Sequence, residues 1–209
     1  MIAIIDYGMG NVRSVLNACE SLGVTTEVTS DPERLAAANG LILPGVGAFP
    51  DGMKALRERD LVRVLNREVI ECRKPVLGIC LGMQMFASQG TEHGDHEGLG
   101  WIKGVVTLMD VPAGLPDVRL PHIGWNTVHF TKSDGMYAGT SKEADFYFVH
   151  SYVLVPDDPT VVSGECEHGA RFVASVQHEN IWATQFHPEK SHKNGLALLG
   201  NWFKSAGVC

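Results

Sequence analysis

The sequence predicts an α/β fold with a mainly parallel central sheet flanked by helices, and with additional antiparallel strands in the C-terminal half. Apolar strand-like runs alternate with helical segments through the first 80 residues, the order that builds a parallel sheet with helices on both faces. The second half is richer in strands, with few helices between them. A chain of 209 residues with 44% apolar and 20% charged residues suits a single domain over residues 1–209.

The hydrophobic periodicity predicts the elements in order. The first half is expected to contain strand 2–5, helix 12–22, strand 25–29, helix 32–38, strand 41–43, a helix over 53–72 with a break near Asp60, and strand 75–80. The second half is expected to contain strands at 105–109, 127–130, 146–155, 161–166, 172–177 and 181–186, and a closing helix over 191–204. Ligands of such sheets collect at the carboxyl ends of the strands, where Gly8, Gly45 and Cys80 are expected.

The segment Gly78-Ile79-Cys80-Leu81-Gly82 places a thiol between two glycines, where an apolar strand gives way to a helix-like segment. This pattern is typical of a nucleophile elbow, whose strained central residue is crowded by neighbours that lack a β-carbon. Unpaired amide groups at the start of a helix favour the thiolate, which is the form that attacks carbon. Cys80 is therefore a candidate nucleophile, and a small core cysteine is the alternative.

A candidate base lies near the C-terminus, in His187-Pro188-Glu189. A cysteine nucleophile commonly works with a histidine that takes and returns its proton and is oriented by a carboxylate. Pro188 fixes its own φ and restricts the residue before it, so the imidazole and the carboxylate can be held in one arrangement. We interpret His187 as the general base and acid and Glu189 as its orienting group. A hydrogen-bonded histidine at a strand end is the alternative.

These motifs carry a family resemblance. Gly-x-Cys-x-Gly-x-Gln at 78–84, with His-Pro-Glu at 187–189, resembles the class I, triad-type glutamine amidotransferases. Further segments are similar to the glutaminase subunits of imidazole glycerol phosphate synthase, an enzyme of histidine biosynthesis: 5–11 (IDYGMGN), 43–49 (LPGVGAF), 121–126 (PHIGWN) and 148–152 (FVHSY). The resemblance implies hydrolysis of glutamine to glutamate and ammonia through a cysteine thioester. No cofactor is expected.

Amide hydrolysis by a thiolate passes through an oxyanion, which backbone N–H groups must stabilise. The N–H of Leu81 is one candidate donor, and the resemblance assigns the other to the peptide that joins Gly45 and Val46. A plain strand-ending turn is the alternative for that segment. Gln84 lies one helical turn after the nucleophile and is either a substrate ligand or an ordinary polar helix residue. The resemblance implies a glutamine pocket shaped by Gly47, Gln84, Ser151 and Tyr152.

The sequence shows no acceptor site for ammonia, so the product is expected to be used on another polypeptide. The resemblance names this partner as a cyclase subunit, a barrel protein in a heterodimer that yields imidazole glycerol phosphate and an aminoimidazole carboxamide ribotide. A large aromatic side chain such as that of Trp125 suits an interface anchor, although core tryptophans are equally common. The candidate partner-facing residues are Tyr7, Met9, Asn11, Trp125 and Lys190.

Composition argues against several other classes. The formal charge of -7 and the lack of a basic run argue against a nucleic-acid partner. No apolar run approaches the length of a membrane span, and the first apolar stretch is too short for a signal peptide, so a cytoplasmic location is expected. The turn at 8–11 lacks the third glycine of a dinucleotide-binding fingerprint, because Arg13 occupies that position.

The cysteines and the polar loop at 92–97 contain residue types that can form disulfides or bind metals. Five cysteines without a Cys-x-x-Cys pair suit a reducing compartment, and Cys19, Cys72, Cys166 and Cys209 are interpreted as structural or incidental. The cluster at 92–97 (EHGDHE) contains metal-binding residue types without the spacing of a zinc or EF-hand site. We predict a solvated loop there and no metal site.

Two alternatives to this function stay open. Another triad-type amidotransferase, serving pyridoxal phosphate or anthranilate synthesis, would share the elbow and His-Pro-Glu but should lack the turn at 6–11. A non-enzymatic α/β binding module is the other. An assay for glutamate release, with and without a candidate cyclase, separates all three.

Overall fold

The computed structural model describes residues 1–112 and 118–208. Its strands are β1 Ile2–Ile5, β2 Thr26–Thr29, β3 Gly40–Gly45, β4 Val76–Cys80, β5 Ala87–Gly90, β6 His96–Glu97, β7 Ile102–Leu108, β8 His122–Phe130, β9 Glu143–His150, β10 Tyr152–Pro156, β11 Val162–His168, β12 Ala170–His178 and β13 Ile181–Thr184. Its α-helices are α1 Val12–Ser21, α2 Pro32–Ala37, α3 Phe49–Glu58, α4 Leu61–Asn66, α5 Leu81–Met85 and α6 His192–Ser205. A π-helical turn at Arg67–Glu71 continues α4, and short 3-10 turns occur at Gly135–Tyr137, Pro159–Val161 and Pro188–Lys190.

Nine strands form one mixed sheet in the order β2-β1-β3-β4-β13-β12-β11-β8-β9. The first five are parallel neighbours, and they come mainly from the first half of the chain. The other four add antiparallel pairs from the second half. The predicted α/β class, parallel at one side and antiparallel at the other, is confirmed.

Hydrophobic cores cover both faces of this sheet. In β1, Ala3 and Ile5 belong to the core that contains Phe49 of α3. Ile2 and Ile4 point the other way, into the core that contains residues of α1 and α6. Successive side chains of a strand alternate between faces, so a strand that is apolar throughout must be covered on both.

A second, four-stranded sheet in the order β10-β7-β5-β6 was not predicted. The single strand expected over 146–155 is wrong at its centre. The chain leaves the nine-stranded sheet after His150 and enters the four-stranded sheet at Tyr152, with Ser151 between them. Because both strands are extended and largely apolar, the alternating pattern continues through the crossing and hides it.

The helix predicted over 53–72 is broken where expected but begins earlier. Asp60 has φ 54°, in the left-handed region, and separates α3 from α4. Helix α3 begins at Phe49 and holds Pro50 in its first turn, where a missing N–H costs no hydrogen bond. Pro50 is therefore compatible with a helix that begins at Phe49.

Within residues 1–112 and 118–208, no helix combines the length and apolar character needed to cross a membrane. In the same residues, no group of three or more His, Cys, Asp or Glu side chains is arranged to hold a metal ion. Cys19 and Cys166 are buried free thiols, and burial raises their pKa values to about 11 and about 12. Cys72 is an exposed free thiol, and Cys209 lies outside the described residues.

Candidate active site

Cys80 lies in the turn between β4 and α5 with φ 55° and ψ -109°. Residues other than glycine rarely adopt such a conformation, and it is typical of functional sites. A β-carbon on Gly78 would lie 2.8 Å from the ring of Phe86, and one on Gly82 would collide with the carbonyl oxygen of Leu43. The strained turn predicted from the two glycines is therefore present, for the steric reason predicted.

The helix after Cys80 is short. Helix α5 covers only Leu81–Met85, so few peptide dipoles add up behind the sulfur. The expectation that a helix N-terminus favours the thiolate is therefore weakly supported. Other polar groups beside the sulfur must therefore stabilise the thiolate more than the dipole of α5 does.

The sheet topology brings His187 to the same edge as Cys80. Strand β13 lies parallel to β4, with Thr184 opposite Ile79, so both strands end at one side of the sheet. His187 follows β13 with an extended backbone, φ -98° and ψ 95°, as the proline after it requires. Its Nδ1 donates a hydrogen bond to Oε1 of Glu189 at 2.8 Å.

The imidazole of His187 interacts with both other members of the predicted triad. Burial lowers its pKa, but interactions with the sulfur of Cys80 and the carboxylate of Glu189 outweigh this effect and raise the pKa to about 9. The imidazole is therefore protonated at neutral pH. Its Nε2 atom is buried and has no hydrogen-bond partner within the described residues, so it remains available for proton transfer.

A cavity of about 280 Å³ opens in front of Cys80. His187 is buried and is not among the described residues that line this cavity. The two predicted oxyanion residues and the four predicted glutamine-pocket residues all line it: Val46, Gly47, Leu81, Gln84, Ser151 and Tyr152. The structure thus collects at one cavity residues that are more than 100 positions apart in sequence (152 minus 46).

Gln84 is almost fully buried at the wall of this cavity. Its Nε2 donates to the carbonyl oxygen of Tyr152 at 3.0 Å and to Oε1 of Gln185 at 3.1 Å. Because both amide hydrogens are used within the protein, the side-chain oxygen is the group left for a ligand.

Glu92 also lines the cavity, which the sequence did not predict. Its Oε2 accepts a hydrogen bond from the N–H of Phe49 at 2.8 Å, in the first turn of α3. The solvated loop expected at 92–97 is confirmed for the exposed residues 93–95 only, because Glu92 is half-buried and hydrogen-bonded and His96–Glu97 form β6. Ala48 precedes α3 and has no side-chain oxygen to cap the helix. This missing cap is the one local signal that a distant carboxylate caps α3 instead.

Two buried histidines support the cavity wall and were also missed. His150 Nδ1 donates to the carbonyl oxygen of Tyr152 at 3.1 Å, so its Nε2 accepts from Nδ1 of His122, also at 3.1 Å. Nε2 of His122 then accepts from Nδ2 of Asn126 at 3.3 Å. Burial is the main reason that the pKa of His150 falls to about 3 and that of His122 to about 4. Both rings are therefore neutral, with their tautomers fixed by this chain of hydrogen bonds.

The predicted partner-facing residues differ in exposure. Trp125 is 48% exposed, and its ring stacks on that of His192 at 5.1 Å. Lys190 is half-buried, with Nζ 5.9 Å from the ring centre of Tyr147. Met9 and Asn11 are half-buried, and Asn11 caps α1 by accepting from Ser14 N–H.

Tyr7 requires a correction. Its side chain is fully buried, and its hydroxyl donates to the carbonyl oxygen of Pro44 at 2.9 Å. The expectation that it faces a partner is wrong, because the ring turns inward over the end of β3. A β-carbon on Gly45 would lie 2.6 Å from this hydroxyl, so the glycine makes room for the tyrosine.

Comparisons with known proteins show the family of this chain. A family model of the class-I glutamine amidotransferases matches residues 3–206, and the chain belongs to that family. The imidazole glycerol phosphate synthase subunit HisH of Rhodopirellula baltica is 50% identical over 199 residues, covering 95% of each chain. The subunit HisH of Aquifex aeolicus is 51% identical over 205 residues, covering 97% of this chain and 96% of the relative. Within the class, the chain therefore belongs with the HisH subunits.

The fold agrees as well. A solved glutamine amidotransferase structure is similar with a TM-score of 0.77, covering 100% of both chains at 19% identity. At this identity the likeness concerns the fold alone.

Proposed function

We propose that this chain is the glutaminase subunit of imidazole glycerol phosphate synthase and supplies ammonia to a cyclase subunit in histidine biosynthesis. Relatives that carry the name of this subunit are about half identical over nearly the whole chain. The observation that carries the chemical proposal is the buried imidazole of His187, which is bound to Glu189 at 2.8 Å and follows a strand that lies parallel to the one ending at Cys80.

The first step is acylation of the sulfur. The Cys80 thiolate attacks the side-chain carbonyl carbon of glutamine, and the carbonyl oxygen becomes an oxyanion. The N–H groups of Leu81 and Val46 stabilise it, and one such donor typically contributes about 3 to 4 kcal/mol to transition-state stabilisation. The C–N bond then breaks, and Nε2 of His187 gives its proton to the leaving nitrogen, which departs as ammonia.

The second step releases glutamate. His187, now neutral, takes a proton from water as the water oxygen attacks the thioester carbon. The C–S bond breaks and the sulfur regains its negative charge. Glu189 keeps the imidazole oriented and balances the charge that appears on it when Nε2 is protonated.

The cavity also offers groups for the amino-acid end of glutamine. An α-ammonium group needs acceptors, and the side-chain oxygen of Gln84 and the carboxylate of Glu92 are present on the wall. Ser151 and Tyr152 form another part of the wall, at the crossing between the two sheets. These residues are proposed to favour glutamine, which has an α-ammonium group, over a simple amide that has none.

The ammonia must reach a second active site. The relatives are named as subunits, which supports a partner subunit here. We infer that this partner is a barrel-type cyclase in a heterodimer and that it binds beside the active-site edge, at Trp125 and Lys190 with Met9 and Asn11. The chain is expected to act in the cytoplasm as a single domain.

Replacement of the nucleophile tests this proposal. The Cys80→Ala protein, mixed with the cyclase, should lose synthesis from glutamine and keep synthesis from added ammonium. Loss of both activities, or survival of the glutamine-dependent one, would contradict it. Glutamate release that rises with a different synthase instead of the cyclase would identify another amidotransferase, and no release at all would identify a binding module.

A further inference from the structure

Two polar groups contact the sulfur of Cys80 within the described residues: the carbonyl oxygen of Val149, which accepts from the thiol at 3.9 Å, and the side-chain amide of Gln185. Only the amide, which is a donor, can hydrogen-bond to a thiolate. Nε2 of Gln185 donates a hydrogen bond to Sγ at 3.7 Å. The side chain of Gln185 is fully buried, in the turn that joins β13 to His187. A buried amide whose donor faces a nucleophilic sulfur is placed to stabilise negative charge on it.

The orientation of the Gln185 amide is fixed by its other hydrogen bond. Oε1 of Gln185 accepts from Nε2 of Gln84 at 3.1 Å, so the NH₂ group is the end that faces the sulfur. Gln84 is fixed in turn, because its other amide hydrogen donates to the carbonyl oxygen of Tyr152. The His150 Nδ1–H donates to the same oxygen. The donor at the sulfur is therefore held by a continuous polar chain from the cavity wall.

We propose that Gln185 is a thiolate-stabilising residue, oriented by Gln84, which acts on the sulfur independently of proton transfer. This inference rests on the proposed function, since it requires Cys80 to be the nucleophile. His187 loses its proton to ammonia during acylation and cannot compensate the sulfur charge in the same way throughout the cycle. The amide N–H of Gln185 is retained in every step, and it can donate a hydrogen bond to the sulfur when the C–S bond of the thioester breaks and the electron pair returns to sulfur.

The short helix behind Cys80 gives this donor its importance. Only five residues contribute dipoles there, whereas burial penalises an unpaired anion strongly. The titratable groups around the sulfur are His187 and Tyr7, with His150 and Glu92 on the cavity wall. Burial, with a smaller contribution from Cys80, raises the pKa of Tyr7, so this hydroxyl stays protonated. All four groups are retained when Gln185 is changed, so a variant isolates the amide.

The test is the pH dependence of Cys80 alkylation by iodoacetamide in the Gln185→Met protein, followed by mass spectrometry of the Cys80 peptide. Loss of one hydrogen bond to a charged sulfur should raise the midpoint by about one pH unit. The kcat for glutamate release should fall about tenfold, with KM nearly unchanged, since the interaction acts on the reacting atom. Gln84→Met, which keeps the donor but frees its orientation, should shift the midpoint less.

Gln177→Met is the matched control. Gln177 lies in the neighbouring strand β12, and its side chain accepts from the N–H of Met136 at 3.2 Å, away from the cavity. The same exchange there should leave the alkylation midpoint where it is in the unmodified protein. A folded Gln185→Met protein with an unchanged midpoint overturns the inference.

A second measurement needs no Gln185 variant to fold. In the unmodified protein, the side-chain amide proton resonances of Gln185 should shift with the same pH midpoint as Cys80 alkylation, and this shift should vanish in Cys80→Ala. Resonances that ignore the ionisation of the sulfur overturn the inference. If Cys80→Ala abolishes glutaminase activity while the midpoint is insensitive to Gln185, only the inference fails. Glutaminase activity that survives Cys80→Ala shows that the proposed function fails.

Discussion

Nδ1 of His187 lies 2.8 Å from Oε1 of Glu189, and their side chains are only 2% and 1% exposed. Replacing the carboxylate by an amide in Glu189→Gln keeps the shape and removes the charge. Because the imidazolium is then less stable and less firmly oriented, kcat for glutamate release should fall by about 100-fold or more. Steady-state kinetics with the cyclase present provide the measurement. Glu58→Gln, on the exposed face of α3, is the control and should retain full activity.

The pKa of about 9 for His187 predicts an alkaline limit of activity. The protonated imidazole, which must supply the proton to ammonia, predominates below this value and is lost as the pH rises through it. The rate of glutamate release should therefore fall above about pH 9. Since the pKa is raised from 6.5, the proton also stabilises the fold fully below that value, and this contribution disappears as pH rises through about 9. An activity profile that stays level well beyond this pH would contradict the assignment.

His122 and His150 predict a loss of stability in acid. Their pKa values of about 4 and about 3 lie below the ordinary 6.5, so the unfolded chain binds protons that the folded chain excludes. Stability should be complete above pH 6.5 and should fall as pH approaches 4, by up to about 1.4 kcal/mol per pH unit for each excluded proton. Urea unfolding at several pH values measures this slope. It should become shallower in His122→Gln but not in His129→Gln, whose ring is exposed.

Replacement by alanine should have opposite effects on stability at Gly82, in the elbow, and at Gly200, in α6. Gly82→Ala places a methyl group against the carbonyl oxygen of Leu43, and it should destabilise the protein by about 3 kcal/mol or more. Gly200 lies in α6 with open space around its missing β-carbon, so Gly200→Ala should stabilise by about 0.5 to 1 kcal/mol. Thermal or urea unfolding measures both. Equal effects at the two positions would show that Gly82 is not sterically required.

The exposed ring of Trp125 leads to a prediction about the affinity for the partner. The ring is 48% exposed and is held by stacking on His192, which suits an interface anchor. Trp125→Ala should weaken binding of the cyclase by about 30-fold or more, the size typical of a hot-spot residue. Titration calorimetry gives the affinity. Ile70→Ala removes a similarly exposed apolar side chain in the π-helical turn that precedes β4, and it should leave the affinity unchanged.

Features that depend on neighbours in sequence could be predicted from the sequence. The backbone at Cys80 follows from the glycines two residues away on each side. The shared edge of Gly45 and Cys80 follows from the alternation of strands and helices in the first half, because the parallel strands β3 and β4 end at the same side.

Features that depend on packing between distant segments could not be predicted. Tyr7 is buried because it reaches Pro44, 37 positions away, and Glu92 reaches Phe49 across 43 positions. The sheet crossing at Ser151 leaves the apolar pattern unbroken, so nothing local marks it. The hydrogen bond from Gln185 to the sulfur likewise joins residues 105 positions apart.

The positive φ at position 80 is imposed by the turn and does not depend on which atom the side chain carries. Branched side chains such as valine or threonine fit that backbone poorly, whereas alanine or serine can adopt it with less strain. A protein with alanine at this position should keep the cavity and its polar wall while losing the reactive group. Such a protein should bind glutamine without hydrolysing it, so the affinity for the substrate can be measured separately from the chemical step.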